Sequence, residues 1–153
     1  MSSPILCAKI FFACGWLFLF AGLLTRASRL PSVDIYVHST YIVIGQYHLL
    51  FLSTLALWIY AVFYYLGAVL FGLQLDPPLT ILHLVVTMAG LIGLNSAAHL
   101  LAARATGSLT SHTFVRIGSI SIVLILVGIL MFVVTYLLSS GEKIWRLPKY
   151  FQK

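Results

Sequence analysis

The stretch IGSISIVLILVGILMFVVTYLL, from Ile117 to Leu138, holds no charged residue and no proline. It exceeds the about 20 residues that a helix needs to cross a hydrocarbon core about 30 Å thick. Inside a bilayer each backbone N–H and C=O must find its partner within the segment, so an apolar run of this length reads as a helix. The apolar/polar alternation of a barrel strand is missing from it.

Working outward, comparable runs cover Leu79 to Ala103, Tyr41 to Leu75 and Ile10 to Leu24, with the charges confined to the gaps and ends. Of the 153 residues 61% are hydrophobic and only 8% are charged, and the mean hydropathy is +1.08. Such a surface cannot be solvated as a water-soluble domain. The expected fold is therefore all-α: a single transmembrane domain over 1–153, an antiparallel up-down four-helix bundle. Its helices are expected at about 9–25, 38–74, 78–103 and 114–139, followed by a basic interfacial tail at 141–153.

The shortest run, behind Lys9, also has the length of the apolar region of a signal peptide. A single Lys before it and the poor cleavage sequence Thr25-Arg26-Ala27-Ser28 favour a retained first span. Thr25 to Asp34, with two Arg and Pro31, is a loop. The second run would be roughly 50 Å long as one helix at 1.5 Å per residue, so its first turns, Val37 to Gly45, are expected to project into the interface. Asp76-Pro77-Pro78 ends it and starts the third helix, with Asp76 suited to the N-cap and proline tolerated in the first turn. Ala89, Gly93 and Ala97 form a small-residue face on that third helix, which lets another backbone approach. Cys7 and Cys14, seven apart with no Cys-x-x-Cys pattern, are expected as small core residues.

The net charge of +6 does not indicate a nucleic-acid partner, because the nine Lys and Arg residues form no stripe. With four spans the two termini share a side. Lys9 and the tail cations there slightly outnumber Arg26, Arg29, Arg104 and Arg116 opposite, which favours cytoplasmic termini. All four Lys fall on the terminal side and four of the five Arg on the other. Arginine is the cation suited to bidentate carboxylate contacts, so the far side is expected to hold anionic groups.

Five histidines occur, at 38, 48, 83, 99 and 112, and those within apolar segments are costly unless they have a role. The stretch from Asp34 to Leu49, Asp-Ile-Tyr-Val-His-Ser-Thr-Tyr-Ile-Val-Ile-Gly-Gln-Tyr-His-Leu, resembles the tenth-helix signature of subunit I of the heme-copper oxidases. That signature closes on His-Phe-His, whose first His ligates the high-spin heme and whose second ligates the low-spin heme. Here the closing triplet is Gln46-Tyr47-His48. The resemblance implies that His48 ligates a low-spin heme and that Gln46 replaces the high-spin ligand. Residues two apart on a helix are separated by about 200°, so the two positions face opposite ways.

Gly15 to Gly22 resembles the family's ninth helix, and Leu82-His83-Leu84 through Gly90 to His99-Leu100-Leu101 its eleventh. The whole chain looks like the last four helices of that subunit, most like the B-type branch around Gly45 to Leu49. The departures are as informative. The chain has no counterpart of the copper B histidines or of the cross-linked tyrosine region. Ser39 stands where the family's magnesium motif has Asp, and the paired Arg after the eleventh helix is reduced to Arg104. Oxygen reduction at a heme-copper pair is therefore excluded on this chain alone, and no copper is expected.

A b-type heme needs an imidazole at the iron, an apolar slot for the macrocycle and cations near its propionates. His48 is the expected iron ligand, Arg29 and Arg104 the expected propionate cations, and His38 a propionate or interface contact. The second axial ligand is expected to be His48 of a second copy in a homodimer or higher oligomer. His99 is the rival, since His48 lies about 15 Å along its helix from His38 and the two depths are similar. His99 also suits a hydrogen bond to a propionate or to the loop backbone.

His83, about 24 Å along the helix from His99, is read as an interfacial or helix-start residue, and His112 as a loop residue. No Ser-His-Asp set, carboxylate pair or phosphate loop exists, and the only acids are Asp34, Asp76 and Glu142. The expected function is a heme b cytochrome for electron transfer or heme carriage, not an enzyme by itself. It would sit in a bacterial or archaeal cytoplasmic membrane among lipid, with a possible respiratory-chain partner. The alternatives are a cofactor-free accessory subunit of a membrane complex, or an oxidase fragment completed by a partner subunit.

Overall fold

The computed structural model describes residues 3–27, 32–37, 40–104 and 111–150, with side chains described within 5–26, 47–101, 113 and 115–141. The elements in order are α1 (Ser3–Ala27), β1 (Ser32–Val37), β2 (Thr40–Gly45), α2 (Gln46–Val69), α3 (Pro77–Arg104) and α4 (Ser111–Tyr150). Each helix contains a segment long and apolar enough to cross a membrane: Ile5–Arg26, Tyr47–Val69, Pro77–Leu101 and Val115–Gly141. The four expected helices are present.

The second helix differs from the expected 38–74 at both ends. Residues Ser32–Val37 and Thr40–Gly45 pair as an antiparallel two-stranded hairpin, from Ser32 opposite Gly45 to Val37 opposite Thr40. These strands carry Val33, Ile35, Tyr36, Tyr41, Ile42, Val43 and Ile44, the β-branched and aromatic types that favour a pleated strand over a helix. The helix begins only at Gln46. At the other end Gly72 takes φ 55°, in the left-handed region open to glycine, and the next N–H, of Leu73, bonds back to the Gly67 carbonyl at 2.9 Å. That turn stops the helix at Val69. At the start of α3 the Asp76 carbonyl accepts the first helical bond from the Thr80 N–H, at 3.0 Å, as an N-cap residue's carbonyl does. The backbone of α4 continues past Gly141 to Tyr150, through most of the expected tail.

Two helical pairs make up the bundle: α1 packs along α2 and α3 along α4, with far fewer contacts between the pairs. The α3–α4 seam depends on a residue without a side chain. A Cβ at Gly90 would lie 2.8 Å from Ile125 and 3.1 Å from the Ser121 carbonyl. Ala97 is buried and meets Gly118 on α4, whereas Ala89 is exposed. The small-residue face that packs is therefore 90, 93 and 97, one position away from Ala89. Elsewhere α4 presents Leu126, Leu130 and Leu137 outward, the surface that a lipid environment accepts.

Between the pairs Leu91 joins the apolar core formed with α1 and α2, and aromatic and polar contacts add to it. Phe11, Tyr64 and Phe132 surround His83, whose Nδ1 lies 2.8 Å from the Tyr64 hydroxyl. Asn95 Nδ2 donates to Ser53 Oγ at 3.0 Å, and the Tyr136 hydroxyl donates to the Phe63 carbonyl. In lipid, where apolar side chains gain little by meeting one another, such close packing and hydrogen bonds hold helices together.

Candidate functional site

His48 is in the first turn of α2 and is exposed. Its ring centroid is 3.9 Å from that of Tyr47, with the planes tilted by 35°. Arg26, in the last turn of α1, places its guanidinium carbon 5.7 Å from the centre of the Tyr47 ring, within the range of a cation–π contact. A groove of about 240 Å³ runs between these helices. Leu19, Leu23 and Phe51 supply its apolar walls, and His48, Tyr47 and Arg26 also border it, so that its surface is almost wholly apolar. Gly22 also borders it, where a Cβ would stand 3.3 Å from that of Leu50, so the two helices approach closely beside the histidine.

Imidazole, apolar wall and guanidinium are the three components that a b-type heme requires of a membrane protein. Arg26 was not among the expected propionate cations. In the sequence Arg26 only closes the first apolar run; its place beside Tyr47 comes from the packing of α1 on α2.

Of the remaining expected site residues, only His99 has a described side chain. His99 is exposed and borders a different groove, with Phe18, Leu50 and Asn95, which shares no lining residue with the His48 groove. Gln46 is the first residue of α2 and Arg104 the last of α3, but their side chains lie outside those described. Arg29 and His38 lie outside the described residues altogether. Cys7 is buried and Cys14 half-buried, and both are free thiols.

His83 stands in the second turn of α3, near the helix start as expected, and is fully buried among the helices, at 0% exposure. Tyr60 meets its ring edge-on at 4.7 Å, and Phe11 lies 5.2 Å away. Its Nε2 has no hydrogen-bond partner. Nothing in the sequence shows this enclosure, because the burial comes from α1, α2 and α4 together.

Among the described residues no group of three or more His, Cys, Asp or Glu side chains is placed to hold a metal ion. A heme iron asks for only one or two protein ligands, so the His48 groove is judged on its own composition. No family model, curated protein or solved structure matches the chain.

Proposed function

We propose that the protein is a membrane-embedded b-type heme protein, related to the last four helices of heme-copper oxidase subunit I, with His48 as an axial ligand. The observation that supports this most directly is the exposed His48 imidazole in an apolar groove with the Arg26 guanidinium at its rim. The triplet Gln46-Tyr47-His48, which opens α2, supports it through its resemblance to the close of the family's heme-ligating signature, although the residues before it pair as a hairpin where the signature is helical.

A bound heme would supply a one-electron centre. His48 would hold the iron, Leu19, Leu23 and Phe51 would exclude water from one face, and Arg26 would neutralise carboxylate charge. A groove of about 240 Å³ covers only part of a macrocycle. The rest of the cover, and a second imidazole, would come from another copy related by a two-fold axis. The same proposal takes the bundle as up-down with cytoplasmic termini, in a bacterial or archaeal membrane. Electron transfer and heme carriage both follow from such a site, and copper is not required.

The test is a redox difference spectrum of the purified protein and of His48→Ala, produced with ample heme. The expected result is a b-type spectrum in the parent that is lost in the variant at normal expression. A heme band unaffected by the substitution would remove His48 from the role. No band in the parent would leave a cofactor-free accessory subunit, and copper with oxygen consumption would identify an oxidase fragment.

A further inference from the structure

Lys9 and Tyr65 each stand four residues inside the end of a span, Lys9 after Ile5 on α1 and Tyr65 before Val69 on α2, or about 6 Å in at 1.5 Å per residue. Both are exposed, and both border one groove of about 380 Å³ between the two helices. Ala8 and Ala61, each at 5% exposure, also border it, and these small side chains leave the space between the helices open at that level. Phe12 and Val62, each about one turn further into its span, complete the apolar walls.

The groove thus has a cation near the membrane surface and an apolar body running inward. A lysine stem can lie along apolar surface while its ammonium reaches the headgroup level, where phosphate is the charge it meets. The chain supplies little counter-charge of its own. Three acids stand against nine Lys and Arg, and among the described residues no carboxylate borders the groove. A headgroup that carries its own ammonium, as choline and ethanolamine do, therefore brings a second cation to a place with no acid to receive it. A headgroup with net negative charge does not.

We propose that the groove between α1 and α2 binds an acidic phospholipid, with one acyl chain against Ala8, Phe12, Ala61 and Val62 and the phosphate on the Lys9 ammonium and the Tyr65 hydroxyl. This site shares no lining residue with the His48 groove and does not rest on heme binding there.

Phe12 stacks on Trp58 at 5.7 Å and meets Trp16 at 6.2 Å, so bromine atoms on an acyl chain held against Phe12 quench indole fluorescence. The full chain is reconstituted in phosphatidylcholine bilayers that contain a small fraction of either dibromostearoyl phosphatidylglycerol or dibromostearoyl phosphatidylcholine. The phosphatidylglycerol is expected to bind about fivefold more tightly, the discrimination that one lysine gives at a membrane surface. Lys9→Gln is expected to abolish the preference. Val62→Phe, which fills the groove from an exposed position and keeps every charge, is expected to abolish it as well. Lys149→Gln, which removes a cation near the other end of the chain, is expected to keep it. Equal quenching by the two lipids in the parent overturns the proposal without any variant, as does a preference that survives Lys9→Gln or Val62→Phe. A preference lost as fully in Lys149→Gln as in Lys9→Gln reduces the effect to net charge and overturns the site too.

Discussion

The hydroxyl of Tyr64 on α2 and Nδ1 of His83 on α3 meet at 2.8 Å, both side chains at 0% exposure. This contact joins the two helical pairs. Hydrogen bonds between membrane helices average about 0.6 kcal/mol and reach about 1.7 kcal/mol in double-mutant cycles. A cycle of Tyr64→Phe and His83→Ala, followed by unfolding in mixed micelles, is expected to give a coupling in that range. A coupling of zero would show that the two residues stabilise the bundle independently through packing.

Gly90 and Ala89 are neighbours in sequence with opposite surroundings. Gly90→Leu drives a side chain into Ile125 and the Ser121 carbonyl, and overpacking of this kind costs about 1–3 kcal/mol. Ala89→Leu adds its side chain to an exposed face and is expected to leave the unfolding midpoint within experimental error. Equal effects at the two positions would contradict the α3–α4 seam.

Two glycines distinguish conformation from space. Gly72 is held at φ 55°, where a Cβ costs about 1–2 kcal/mol. Gly141 lies within α4, and a Cβ there meets nothing within 4 Å. Gly72→Ala is expected to lower stability and Gly141→Ala to raise it by up to about 1 kcal/mol through helix propensity. Thermal unfolding of both variants in the same detergent reads the sign of each change.

If heme occupies the His48 groove, Arg26 contributes charge at an exposed rim. Exposed ion pairs are worth about 0.2–1 kcal/mol. Arg26→Gln is then expected to speed heme loss to an acceptor protein by no more than about fivefold, with the spectrum retained. Loss of the spectrum itself would make Arg26 essential to the pocket.

The existence of four spans was legible because Ile117 to Leu138 and its counterparts admit no other backbone in lipid. Their limits were less so. The run from Tyr41 to Gly45 is apolar in a strand as in a helix, and periodicity cannot separate the two over so few residues. Gly72 was a stop signal inside a run read only for its hydropathy. The packed faces were hidden for a different reason: lipid-facing and protein-facing side chains are both apolar, so hydropathy carries little phase. Hence Ala89 was placed on a face that Gly90 takes, and the enclosure of His83 by α1, α2 and α4 was not visible. At the candidate site, His48 was found through the Gln46-Tyr47-His48 triplet. Arg26 required the pairing of α1 with α2.

The sparse contact between the two helical pairs also bears on how the molecule is made. Each pair packs closely within itself, and α1 and α2 emerge from the ribosome before α3 and α4 exist. Union of the pairs is then a separate late event, in which the Tyr64 hydroxyl receives its partner only when α3 arrives. The joint between them is where the protein would first come apart under stress.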